Sequence, residues 1–129
     1  MSPSSARPAT RWALPLLADL VCVLVFALGG KSTHEGGDSN LVVLAIVWPY
    51  ALAVLLAHAG MLTRGRPAAR AWPEGVAVLA VTYVLGMTLR AVSGRGIDGA
   101  FLLVAVAFLT FTMVGWRLVA QVAVRRRTR

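Results

Sequence analysis

The sequence predicts an all-α protein: a four-helix transmembrane bundle with up-down-up-down connectivity and both termini in the cytoplasm. Three observations point there. Four long apolar runs follow one another, about 12–30, 41–62, 75–92 and 97–124. Charged residues make up only 14% of the chain, against about 25% in an average soluble domain. They fall almost entirely in the gaps between the runs, and Lys and Arg are shared very unequally between the two sides. A soluble bundle would need a polar stripe on each helix, recurring every three or four residues, and these runs have none.

Residues 1–11 open the chain as a tail rich in Ser, Pro and Ala, a composition that favours disorder. The first run starts at Trp12 and contains Pro15 and Asp19. Pro15 is expected in the first turn, where a missing N–H costs little. The second run contains Pro49, which removes one helical hydrogen bond and invites a kink beside Trp48 and Tyr50. A helix rising 1.5 Å per residue needs about 20 residues to cross a ~30 Å hydrocarbon core, and all four runs come close to that length. Gly29-Gly30 and Gly36-Gly37 should break the helices at the first link. Pro67 and Pro73 should do so at the second, and Gly94 with Gly96 at the third. Links this short join only antiparallel neighbours. A basic tail, 125–129, closes the chain. No internal repeat marks an inverted-repeat transporter half.

The positive-inside rule sets the orientation. One side holds Arg7, Arg11, Arg64, Arg66, Arg70, Arg125, Arg126, Arg127 and Arg129. The other holds Lys31 and Arg95 with Glu35, Asp38 and Asp98. The first side is therefore cytoplasmic, and Trp12 and Trp72 at its boundary fit an interfacial aromatic belt. A cleaved signal peptide ending near Ala27-Leu28-Gly29 is the competing reading. Asp19 in the middle of its apolar region argues against it. The net charge of +8 would point to nucleic acid in a soluble protein. Here the bases flank apolar spans, where they meet anionic lipid headgroups, and no nucleic-acid-binding motif accompanies them.

An ionisable residue inside a span costs roughly 2.5–3.5 kcal/mol at the helix centre, so it faces protein or water rather than lipid. Asp19, His58, Arg90 and Arg117 stand in the runs. Asp19, His58 and Arg117 lie within about two turns of each other in depth, toward the cytoplasmic leaflet. They form a predicted inner cluster in which Asp19 and Arg117 neutralise one another and His58 is a third member. Against this, Arg117 is close enough to the interface to snorkel alone, and His58 to reach headgroups.

Thr82, Gly86 and Arg90 share one helical face, and the small residues there direct Arg90 into the bundle. An outer cluster of Lys31, Ser32, His34, Arg90 and Asp98 follows from their similar depth. It fits an anion or a lipid headgroup, or, more simply, an Arg90 that caps backbone carbonyls and pairs with Asp98. His34, Glu35 and Asp38 in a Gly-rich link make a weak divalent-metal set, unlike a helical metalloprotease motif, so no metal site is assigned. Cys22 is the lone cysteine and allows no intrachain disulfide. No phosphate-binding loop, nucleophile elbow or haem motif is present, and no cofactor is expected.

Several short motifs in order resemble a known family. They are Asp19, Phe26-Ala27-x-Gly29-x-Lys31-Ser32-x-His34 and Pro49-Tyr50. Next come Gly86-Met87-x-Leu89-Arg90-x-x-x-Gly94-x-Gly96, Phe101-x-x-Val104-Ala105 and Gly115-Trp116-Arg117. The pattern is similar to an actinobacterial family of small membrane proteins catalogued as Domain of Unknown Function 3054. Lys31 and Tyr50 stand where Arg and Phe are expected. The resemblance implies a small membrane protein with no assigned activity, and it supplies no catalytic residues. The expectation is a multi-pass protein of the cytoplasmic membrane, not an enzyme, acting as a structural or partner-binding subunit. A small oligomeric transporter or channel is the alternative, and a homo-oligomer or another membrane protein the expected protein partner.

Overall fold

The computed structural model describes residues 8–33 and 40–128, with side chains over 12–29 and 43–128. Among them it is all-helical, without strands. Helix α1 is Pro8–Thr33, α2 is Asn40–Thr63 and α3 is Val76–Val92, entered through a wide turn over Ala71–Gly75. Helix α4 covers Gly99–Arg127, regular over Gly99–Leu109 and Gly115–Arg127 and widened to a π turn at Thr110–Val114. All four helices are long and apolar enough to cross a membrane.

The helix ends differ from the sequence expectation in instructive ways. Helix α1 begins at Pro8, not Trp12, so Pro15 lies inside it rather than in its first turn. Pro8 itself takes the first helical position, where its fixed φ suits the helix and its missing N–H is not needed. At the other end α1 runs through Gly29-Gly30 to Thr33. Glycine ends helices mainly by favouring other conformations and exposing backbone to water. That preference costs only about 1 kcal/mol per glycine, and the 26-residue helix absorbs it and continues into Lys31-Ser32-Thr33. Helix α2 likewise continues across Pro49. Arg125, Arg126 and Arg127 belong to the last turn of α4 rather than to a separate tail, where they complement the negative end of the helix dipole.

Helices α2 and α3 end in the same way. Gly65 at φ +64° and Gly94 at φ +88° hold the left-handed conformation that follows a helix terminus. Around Gly65, the Arg66 N–H reaches the Met61 carbonyl (2.9 Å) and the Gly65 N–H reaches that of Leu62 (3.1 Å). Around Gly94, Arg95 bonds Arg90 (3.1 Å) and Gly94 bonds Ala91 (3.1 Å). These paired 6→1 and 5→2 bonds are the Schellman closure, which satisfies the last carbonyls of each helix. Helix α4 starts on Asp98, whose carboxylate accepts the Phe101 N–H at 2.7 Å.

Helix α1 packs on α2 and α4, and α3 packs on α2 and α4. The enclosed core is built from Val23, Phe26, Tyr50, Val54, Val78, Leu79, Met87, Ala105, Leu109 and Met113. Phe26 sits at its centre, edge-on to Tyr50 (centroids 5.4 Å apart) and within 6 Å of Phe101 and Phe108. The outward faces are as apolar as the core: Leu17, Val21, Leu28, Leu44, Val84, Leu103 and Phe111 are all exposed. Such a surface far exceeds the apolar patches of a soluble monomer and suits lipid contact.

Candidate functional site

Asp19 is fully buried in the middle of α1, and α4 brings Arg117 against it. The two meet end-on: Nη1 donates to Oδ1 at 2.8 Å and Nη2 to Oδ2 at 2.6 Å, a bidentate pair. His58 of α2 adds a hydrogen bond from Nε2 to Oδ2 at 2.7 Å, and the Trp116 indole donates to Oδ1 at 2.9 Å. Because a carboxylate only accepts, its partner nitrogen on His58 carries the hydrogen. Each oxygen of Asp19 thus receives two hydrogen bonds, about the full acceptor capacity of a carboxylate.

Arg117 is equally engaged. Its Nε donates to the Ala68 carbonyl at 2.8 Å, and Nη1 also donates to the Met113 carbonyl at 2.8 Å. Four of the roughly five donors of a guanidinium are therefore used inside the chain. Its Cζ lies 4.6 Å from the Trp116 ring centre, a further cation–π contact. Close approach depends on Gly75: a Cβ there would lie 2.6 Å from Arg117 Cδ and 2.9 Å from the Arg70 carbonyl.

The π turn explains how α4 aims this side chain. Ala105, Leu109, Met113 and Arg117 are all buried and spaced four apart. In a regular helix each such step drifts by ~40°, so three steps would carry Arg117 ~120° off the core face. A π turn takes in one extra residue, equivalent to ~100° taken back, and leaves the four residues nearly in line.

Beside the cluster, Glu74 is 97% buried next to Gly75. Its Oε1 accepts from Arg66 Nη1 at 3.4 Å and lies 3.9 Å from Arg70 Nη1, while Oε2 has no partner among the described residues. A cleft of about 930 Å³ opens over the cluster. Trp12, Pro15 and Ala18 of α1, Met61 of α2 and Pro67 of the following link form its mainly apolar wall, with His58, Trp116 and Arg66 as polar members.

The structure brings Asp19, His58 and Arg117 of the inner cluster into direct contact. The outer cluster is described in part. Arg90 is buried together with Thr82 and Gly86. Its Nε donates to the Gly96 carbonyl at 2.9 Å, and its Cζ stacks 4.1 Å over Phe101. Asp98 does not pair with it. Its carboxylate is committed to the start of α4, where a free N–H at the positive end of a helix dipole is the nearer partner. The Lys31 and Ser32 side chains, His34, and with it the His34, Glu35 and Asp38 set, lie outside the described residues. Sequence reasoning missed Trp116, Glu74 and the carbonyls of Ala68 and Met113. For Trp116 the Gly115-Trp116-Arg117 motif was an available signal, and for Glu74 its i,i+4 spacing from Arg70 was another.

Four apolar helices joined around one buried ion pair define the class: an all-helical bundle built as membrane spans are built. The chain belongs to the family described as "Protein of unknown function (DUF3054)", which matches it over residues 16–120. Comparison with curated proteins and with solved structures gave no match.

Proposed function

We propose that this chain is a multi-pass protein of the cytoplasmic membrane, folded up-down-up-down with both ends in the cytoplasm. In this reading it serves as a non-enzymatic structural or partner-binding subunit. The observation that supports this most is the closure of the inner cluster. Asp19 accepts four hydrogen bonds and Arg117 donates four, all within the chain, so the pair is built as a pin between helices rather than as a relay. Between this pin and Arg90 lies the buried apolar layer of Val23, Phe26, Val54, Val78 and Leu109. A conduit for ions or small solutes needs continuous polar lining, which that layer interrupts.

The proposed partners are another membrane protein or a second copy, together with anionic headgroups at the basic side; nucleic acid is not among them. The orientation rests on the excess of Arg beside the ends of the spans. The test is purification in discs of native lipid, with quantitative mass spectrometry of what accompanies the chain, beside reconstitution of the chain alone in proteoliposomes. A protein partner in fixed stoichiometry, with proteoliposomes no leakier to protons and small ions than empty ones, is expected. Saturable flux through the isolated chain would instead establish the small oligomeric transporter.

A further inference from the structure

The cleft above the inner cluster is larger than that cluster requires, and the pin does not use it. Its wall is mostly apolar, from Trp12, Leu14, Pro15, Ala18, Met61 and Leu62. No acidic residue lines it among the described residues, whereas Arg66 does. The Arg66 side chain is about half exposed and held only by a 3.4 Å contact to Glu74, so its guanidinium is available at the rim. Arg64 and Arg70 stand in the same link, so the segment that carries Arg66 is basic. His58, fixed through Nε2 to Asp19, also lines the cleft. An apolar trough with a cation at its mouth is complementary to one kind of molecule, a long-chain anionic amphiphile.

We infer that this cleft is a binding site for one anionic phospholipid of the surrounding bilayer, with an acyl chain along the Pro15–Ala18–Met61 wall and the phosphate at Arg66. The trough opens beside the ends of apolar helices, where a phospholipid presents a chain and a phosphate together. The proposal adds a defined site to the general attraction of a basic surface for headgroups, which would need no cleft. It rests on the membrane placement proposed above.

The test uses the full chain in phosphatidylcholine vesicles, with tryptophan fluorescence quenched by lipids brominated on the acyl chain. One variant keeps only Trp116 (Trp12, Trp48 and Trp72 each changed to Phe), and a second keeps only Trp48, which is exposed away from the cleft wall. Brominated phosphatidylglycerol at a minor fraction should quench Trp116 with about fivefold higher effective affinity than brominated phosphatidylcholine. That is the preference one basic residue contributes near an anionic lipid. Arg66→Gln should abolish the preference. Ala18→Leu, which fills the trough without touching Arg66, should lower quenching by both lipids. Equal quenching of Trp116 by the two lipids, or a preference that survives Arg66→Gln, would overturn the site, as would quenching by a brominated fatty acid in place of phosphatidylglycerol. Trp48 distinguishes the two levels. If brominated phosphatidylcholine fails to quench it, the membrane placement fails; if Trp48 is quenched while Trp116 shows no preference, the site alone fails.

Discussion

The ring of Tyr50 occupies the space that a Cβ on Gly86 would need, its Cδ1 and Cε1 being the nearest atoms. Tyr50 is completely buried, edge-on to Phe26, with its hydroxyl donating to Met87 Sδ at 3.3 Å. Within a membrane, helices gain little from hiding apolar surface, so close packing of this kind matters more for holding α2 on α3.

Gly86→Ala should therefore destabilise the fold by about 1–3 kcal/mol, the usual cost of overpacking a tight core. Denaturant unfolding in detergent micelles measures it. In a Tyr50→Ala background the same substitution should cost far less. Equal losses in both backgrounds would show that the ring is not the obstacle.

Arg90 is held by its planar group, through Nε to Gly96 and through its face to Phe101. Arg90→Lys keeps the charge near the helix end but loses the fork and the stacking plane, and should cost about 1 kcal/mol. Arg90→Met should cost more, because the Gly96 carbonyl then loses its donor. Phe101→Leu and Arg90→Lys should combine to less than their sum, since each removes the same stacking contact. Strict additivity in a stability cycle would separate the two side chains.

The proposed orientation is checked by labelling intact cells. With Cys22, the lone cysteine, changed to Ala, a cysteine introduced at Arg66 should resist an impermeant maleimide until the membrane is opened. One at Asp38 should react at once. The opposite pattern would reverse the orientation.

The inner cluster was legible in the sequence because charge inside an apolar run is rare, and because a fixed rise per residue converts position into depth. That places Asp19, His58 and Arg117 at one level. The rest was not legible for physical reasons. The carbonyls of Ala68 and Met113, which complete Arg117, are backbone atoms with no residue signature. The π turn at Thr110–Val114, which keeps Arg117 on the face of Ala105 and Leu109, has none either. At Asp98 two roles competed, pairing with Arg90 or capping α4. Residue types alone favoured the pair, but geometry favours the cap. Gly29-Gly30 looked like a helix end because glycine disfavours helix, but a penalty of about 1 kcal/mol each is too small to stop α1.

The bond between Asp19 and Arg117 decides whether the bundle is pinned as described, and a double-mutant cycle in detergent micelles measures it. Asp19→Asn and Arg117→Met should each cost about 3–5 kcal/mol of unfolding free energy, because each leaves a buried charge without its partner. The double variant buries neither charge, and its loss should fall short of the sum by at least about 1 kcal/mol. Losses that simply add would contradict the pin, since two side chains with additive effects do not support one another.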